Sequence, residues 1–343
     1  MVLERKSITM KDVAKMAGVS IATASRVLNG QGYSSDEAKL KVNQAAQDLG
    51  YRPNDIARSL KLKRTDTIGL MITDIVNPFY SILASGVLDA ASKYGYHVIV
   101  SATDENPDLE SEYLQVLMEK RAIGVIAVCT GENLDCWKEA QSLGIKVVFV
   151  DREIDEIDFA DIILVDNLKG AYDAISTLID LGHQRIGIIN GPISTTTGKQ
   201  RLAGYIKAHE DAGLDIDDEL QKIVTFKGES GHEAARELLQ MEDPPTAIFA
   251  TNNVLGQAAM FVINDQGLNI PQDISLIIFD DVPWASLTTP SVTVVSQPTY
   301  QLGYKGMEIL HKRLEPEEGS QVAPMKLVLD PELIVRESIT QNN

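Results

Sequence analysis

From Thr67 onward the chain alternates short apolar runs with longer amphipathic stretches, and no other feature restricts its fold so strongly. Runs rich in Val, Ile and Phe at 67–73, 97–102, 124–128, 146–150, 185–190, 247–250 and 275–279 read as strands buried on both faces. Between them, 79–93, 109–120, 169–181, 200–212, 231–239 and 254–266 carry apolar residues at helical spacing. Alternation of this length predicts two doubly wound parallel sheets with helices on both faces. Ligands of such sheets sit beyond the carboxyl ends of the strands, so those ends are the places to search for a site.

The first 60 residues follow a different pattern. Thr9 with Asp12 three residues later forms a capping box for a short helix whose apolar side is Val13, Ala14, Met16 and Ala17. Gly18 ends it, Ser20 caps a second helix over 21–28, and Asn29-Gly30 ends that one. A third helix starts at Ser35 and stops at Gly50, with Ala38, Val42, Ala45, Ala46 and Leu49 facing the other two. Two helices joined by a tight glycine turn form a helix-turn-helix, whose second helix usually enters the DNA major groove. A small helical bundle used for protein contacts is the blander reading of the same pattern.

Charge supports the DNA reading once it is counted by segment. The whole chain has a formal net charge of -18, which by itself argues against a polyanion. Residues 1–64, however, hold 12 Lys+Arg against 6 Asp+Glu, and the remainder holds 19 against 43. Only the first segment can meet phosphate.

Residue identities narrow the reading further. The run Met10-Lys-Asp-Val-Ala-Lys-Met-Ala-Gly-Val-Ser20, then Ala22-Thr-Ala-Ser-Arg-Val-Leu-Asn-Gly30, Leu49-Gly-Tyr-Arg-Pro-Asn54 and Ala57-Arg-Ser-Leu60 closely resemble the LacI/GalR (lactose/galactose repressor) family. The resemblance continues over nearly the whole chain. It implies a periplasmic-binding-protein-like core behind the helix-turn-helix, a homodimer, and a near-palindromic operator. It also implies three segments: a DNA-binding domain over 1–53, a hinge helix over 54–64, and a sensing and dimerisation domain over 65–343. Within the last, the expected division is an N-sub-domain of 65–165 plus 293–325 and a C-sub-domain of 166–292 plus 326–343.

By that resemblance Ile21, Ala22 and Arg26 read bases, while Thr23 and Ser25 touch phosphate or base edges. Thr9, Ser20, Asn29, Tyr51, Asn54, Ala57, Arg58 and Lys61 complete the expected DNA-binding set. Arg26 is the strongest reader physically, since a guanidinium can bind guanine O6 and N7 together. Ala24 stands where the family usually has Val and should face the core. Leu60 matches the family's minor-groove wedge, a side chain of the kind that unstacks a base step and kinks DNA.

Around the expected strand ends lie Asn77, Phe79, Tyr80, Asp151, Arg152, Arg201, Phe226, Asn252, Asp280 and Gln297. Aromatic rings can cover the C–H faces of a sugar, and Asp, Asn, Arg and Gln can hydrogen-bond its hydroxyls in pairs. The set is similar to the ribose-operon repressor pattern, so a ribose-like monosaccharide is the expected effector. The purine repressor pattern has an Arg in the segment matching Thr195, which this chain lacks. Two rival readings differ in the signal received: a catabolite-control-type regulator answering a phosphorylated partner protein, and a nucleoside-responsive regulator.

Other functions find little support in the residues. Gly191-Pro-Ile-Ser-Thr-Thr-Thr-Gly198-Lys199 superficially suggests a phosphate-binding loop, but Ile193 stands where its first Gly is needed and Gln200 where Ser or Thr should follow Lys. The five His and two Cys show no metal-ligand spacing. The expectation is a non-enzyme without metal or cofactor. No apolar run is long enough for a membrane span, and no export signal is read at the N-terminus, so the expected location is the cytoplasm.

Overall fold

The computed structural model describes residues 8–28, 33–51, 65–155, 157–316 and 323–342. It divides into two units, Met1–Thr65 and Asp66–Asn343.

In the first unit α1 (Met10–Ala17), α2 (Ile21–Leu28) and α3 (Asp36–Leu49) close a small core of Val13, Ala14, Ala17, Ala24, Val42, Ala45 and Ala46. The caps follow the local chemistry. Thr9 Oγ1 accepts from the Asp12 N–H while the Asp12 carboxylate accepts from the Thr9 N–H at 2.9 Å, and Gly18 ends α1 at φ 66°. Ala24 is fully buried on the inner face of α2. Met16, expected on the apolar side of α1, is 53% exposed, because the small residues Ala14 and Ala17 already fill the contact with α3.

The second unit contains two sheets. The first takes β1 (Thr67–Ile72), β2 (His97–Ala102), β3 (Gly124–Ala127), β4 (Lys146–Val150), β5 (Asp161–Val165) and β11 (Lys326–Leu329), in the order β11-β5-β4-β3-β1-β2. The second takes β6 (Ile186–Asn190), β7 (Gln221–Ile223), β8 (Ala247–Ala250), β9 (Ser275–Phe279), β10 (Thr293–Ser296) and β12 (Glu332–Ile334), in the order β12-β10-β9-β8-β6-β7. All pairings are parallel except β10 with β12. β3, β5, β6, β8 and β9 are buried along their whole length, as their unbroken apolar sequences require.

Helices cover both faces of each sheet. On the first, α4 (Pro78–Tyr94) and α11 (Thr299–Leu314) bury one apolar cluster, while α5 (Pro107–Glu119) and α6 (Leu134–Ser142) bury another around Trp137. On the second, α7 (Asn167–Asp180) and α8 (Thr196–Ala212) lie opposite α9 (Gly228–Leu239) and α10 (Asn253–Asp265). The α4–α11 pair is unusually close: a Cβ on Gly303 would fall 2.0 Å from the Leu83 carbonyl oxygen.

The chain crosses between sheets at different points from those expected. β10, expected with the first sub-domain, instead extends the second sheet, Val294 and Val295 pairing with Ile278 and Phe279. Only after Gln297 does the chain return, as α11, to the first core. β11 pairs with β5 in the first sheet rather than joining the second, and β12 crosses back to pair with β10. These strands are three or four residues long, too short to show which sheet they complete until a partner edge is present.

Candidate functional site

The carboxyl ends of the two sheets face each other across a cavity of about 220 Å³. From the first sheet come Thr73 and Asp74 after β1, Asn77, Phe79 and Tyr80 at the start of α4, Asp104 and Glu105 after β2, and Asp151 and Arg152 after β4. From the second come Thr197 and Arg201 on α8, Phe226 to Gly228 before and into α9, Asn252 and Val254 at α10, and Asp280 after β9. Gln297 lies on the crossover after β10. All ten residues singled out in the sequence line this one cavity.

Two carboxylates hold equivalent places in the two sheets. Asp151 and Asp280 each follow a buried strand, adopt left-handed backbone (φ 67° and 81°), and donate their N–H to the next strand, at Ile163 and Val295. A left-handed non-glycine residue costs on the order of 1–3 kcal/mol, with Asp among the types that tolerate it best. Burial raises the Asp151 carboxyl to about 6, against the opposing pull of Arg152 and Arg201.

Asp280 anchors a network. Its Oδ2 accepts from the Asn253 N–H at 3.2 Å and from Asn253 Nδ2 at 3.0 Å, and its Oδ1 accepts from Gln297 Nε2 at 2.6 Å. Asn253 Nδ2 also donates to Asn77 Oδ1 at 3.0 Å, joining the two sheets. Asn77 and Asn252 have a second duty as helix N-caps, accepting from the Phe79 and Leu255 N–H groups.

The cations are held firmly. Arg201 is 3% exposed, donates Nε to Asn167 Oδ1 at 2.8 Å and Nη1 to the Thr251 carbonyl at 2.5 Å, and lies 3.7 Å from the centroid of Phe279. Arg152 makes a paired contact with Glu105, Nη1 to Oε2 at 2.6 Å and Nη2 to Oε1 at 2.8 Å. Its guanidinium stands 5.2 Å from the Phe226 ring. That ring rests against bare backbone, since a Cβ on Gly191 would come within 2.0 Å of it. Phe79 meets Tyr80 edge to face at 5.0 Å, and burial pushes the Tyr80 hydroxyl well above its ordinary range, so it remains a proton donor.

Sequence reasoning missed Asp104, Glu105, Lys227, Asn253 and Asn167. Thr103-Asp-Glu-Asn106 reads as an ordinary polar turn, and only the fold carries its two carboxylates to the cavity, with φ of 49° and 59°. Asn253 is adjacent to Asn252 and had no separate signal.

In the first unit the α2 face carries Ile21, Ala22 and Arg26 to the exterior, Ile21 being 51% exposed, while Thr23 and Ser25 are half-buried. Ser20 caps the helix, accepting from the Thr23 N–H at 3.1 Å. Among the described residues Arg26 makes long contacts, Nε to the Ala22 carbonyl and Nη1 to the Tyr33 carbonyl, both 3.4 Å. Thr9 is exposed at the start of α1 with its hydroxyl donating to Asp12 Oδ2 at 2.6 Å. Tyr51 is half-buried and packs against the three-helix core. Asn29, Asn54, Ala57, Arg58, Leu60, Lys61 and the expected hinge helix lie outside the described residues.

Comparison with known proteins gives concordant matches. Residues 9–54 match the family described as bacterial regulatory proteins, lacI family, and residues 65–322 match periplasmic binding proteins and sugar binding domain of LacI family. The HTH-type transcriptional regulator DegA of Bacillus subtilis is 37% identical, over 98% of this chain and 99% of its own length. The HTH-type transcriptional repressor PurR of Pasteurella multocida is 34% identical over 96% of this chain and 98% of its own length. The ribose operon repressor of Haemophilus influenzae is 35% identical over the same shares, 96% and 98%. Among solved structures, the lac repressor dimer bound to operator and an anti-inducer superposes with a TM-score of 0.84 at 26% identity, covering 98% of this chain and 100% of that one. A LacI family regulator from Enterococcus faecium with bound ribose gives 0.72 at 25% identity, covering 81% of this chain and 100% of that one. Among the described residues no helix is long and apolar enough to cross a membrane, and no group of His, Cys, Asp or Glu could hold a metal ion.

Proposed function

The chain belongs to the LacI family of bacterial regulatory proteins, DNA-binding transcriptional repressors with a sugar-binding domain, and on that premise we propose that it represses carbohydrate-utilisation genes until ribose or a related monosaccharide enters the cavity. The observation that carries this reading is the convergence of ten polar and aromatic residues from both sheets on one small cavity. Phe79, Tyr80 and Phe226 supply apolar faces, and Asp151, Asp280, Asn252, Arg152, Arg201 and Gln297 supply hydrogen-bonding groups for hydroxyls. The name of the Haemophilus relative and the ribose in the Enterococcus structure point the same way.

The mechanism follows from where the residues originate. A sugar that bonds Asp151 on one sheet and Asp280 on the other favours one relative arrangement of the sheets over any in which they part. Such differential affinity shifts the equilibrium between two states, and in a homodimer on a near-palindromic operator it biases the spacing of the two DNA-binding units. Arg26, Ile21 and Ala22 read the operator in the major groove, with Thr9, Ser20, Thr23 and Ser25 as phosphate or edge contacts. Leu60 acts as the minor-groove wedge.

Calorimetric titration of the purified protein with monosaccharides tests the effector assignment, and pH adds a second readout. The Asp151 carboxyl, raised to about 6 from 3.8 by burial, faces Arg152, Arg201, Asp280 and Glu105. Because its folded value is raised, its contribution to stability is full below 3.8 and is lost as pH rises through about 6. A hydroxyl donated to the carboxylate favours the charged form, so binding displaces this proton. Affinity should therefore increase about fourfold between roughly pH 5.5 and 7.5, with the binding heat near pH 6 depending on the buffer's ionisation enthalpy. A flat or falling profile would exclude Asp151 as an acceptor. Heat from a purine base and from no sugar would replace the sugar by a nucleobase, as the purine-repressor relatives suggest.

A further inference from the structure

The charges around the cavity are unbalanced, and the imbalance bears on which sugars it can take. Asp74, Asp104, Glu105, Asp151 and Asp280 line it against only Arg152, Arg201 and Lys227. Each cation already has a partner. Arg152 is clasped by both oxygens of Glu105, Lys227 Nζ lies 3.2 Å from Asp104 Oδ2, and Arg201 is bonded to Asn167 and the Thr251 carbonyl beneath Phe279.

Two buried polar atoms of residues that line the cavity have no hydrogen-bond partner among the described residues: Arg152 Nε and Gln297 Oε1. Arg152 Nε is 3.8 Å from the nearest Asp151 oxygen, too far for a hydrogen bond. Gln297 gives its amide hydrogens toward Asp280, so its free oxygen can only accept. A hydroxyl can donate to the cavity's carboxylates, whereas the phosphate group of an ester near neutral pH offers acceptors alone and adds about -1.5 to -2 charges to a site already negative.

We infer that the cavity selects uncharged sugars against their phosphate esters, and that Glu105 sets this selection by occupying the guanidinium of Arg152 that would otherwise bind phosphate. The inference rests on the cavity being a sugar site. Glu105 is a specificity residue: it gives its carboxylate to Arg152 and closes the paired face on which a guanidinium best receives phosphate. Its side chain is 27% exposed, and Gln in its place keeps the shape and one acceptor oxygen for Arg152 while removing the charge.

The test is calorimetry on the full chain with ribose, fructose and glucose, each beside its terminal phosphate ester, in the parent and in Glu105→Gln. For the sugar that binds, the ester should bind at least about 30-fold more weakly to the parent. In Glu105→Gln the gap should narrow at least about fivefold, mainly through tighter ester binding, with the melting temperature confirming an intact fold. An ester that binds the parent as tightly as its sugar overturns the inference while leaving the sugar site standing. A gap unchanged in Glu105→Gln overturns the assignment to Glu105. If neither members of the panel nor their esters bind, the sugar reading itself fails and the inference with it.

Discussion

Replacing Asp280 with alanine should weaken sugar binding by at least about 100-fold, the largest single loss expected from any residue of the cavity. Each hydrogen bond to a charged acceptor is worth about 1.5–3 kcal/mol, and a carboxylate facing a diol makes two of them. The truncation also removes the common acceptor of Gln297 Nε2 and both Asn253 donors, so the groups that fix the cavity's shape lose their anchor. Asp280→Asn separates the two effects. Asparagine tolerates the left-handed backbone that Asp280 adopts at φ 81°, so the strand end keeps its course while the charge is lost. This variant should fall between the parent and the alanine form in affinity and melt close to the parent. Calorimetry with the bound sugar checks both, and an alanine variant binding within about threefold of the parent would remove Asp280 from the site.

The second large effect is expected at the other end of the chain. Arg26→Ala should cost about 1–3 kcal/mol of operator affinity, or roughly 10–100-fold, and should relax preference at one base pair of each half-site. The structural reason is that Arg26 is exposed and, among the described residues, held by two 3.4 Å contacts to carbonyls, so it can turn to a guanine edge at little cost. Thermal stability should change little, because the three-helix core consists of Val13, Ala14, Ala17, Ala24, Val42, Ala45 and Ala46. Fluorescence anisotropy on a selected operator and on random duplex distinguishes readout from general attraction. Equal losses on both would show that Arg26 serves only as a positive charge.

Much of this was legible before any coordinates, though unevenly. The capping box at Thr9, the left-handed Gly18 and the buried Ala24 are local features, decided by chemistry within a few residues. The inner strands were equally plain, since a strand buried on both faces is an unbroken apolar run. Helix starts were less so: α8 begins at Thr196, where Thr195 accepts from the Gly198 N–H, rather than at 200. The polar Thr-Thr-Thr run gave no apolar period to extend the helix backward.

What sequence could not supply was partnership at a distance. β10, β11 and β12 are too short to reveal their sheets, and their true pairings place the crossovers elsewhere than expected. The same limit explains the site residues that were missed. Asp151 and Asp280 stand out as acids directly after apolar strands, whereas Glu105 gains its meaning only by meeting Arg152, 47 residues away. Asn253 matters because it joins Asp280 to Asn77 across 176 residues of sequence. Tyr51, matched to a DNA contact by its place in the motif, packs its ring against the helical core, a contact the motif alone did not indicate.

If occupancy of the cavity controls the grip on DNA, the two can be joined and measured in one tube. A fluorescent operator is titrated with the protein in the absence and in the presence of a sugar that calorimetry has shown to saturate it. Operator affinity should fall at least about tenfold with sugar present, a coupling within the usual 1–3 kcal/mol range, and Asp280→Ala should keep its grip at the same sugar concentration. Operator affinity unchanged by a sugar that demonstrably fills the cavity would contradict such control.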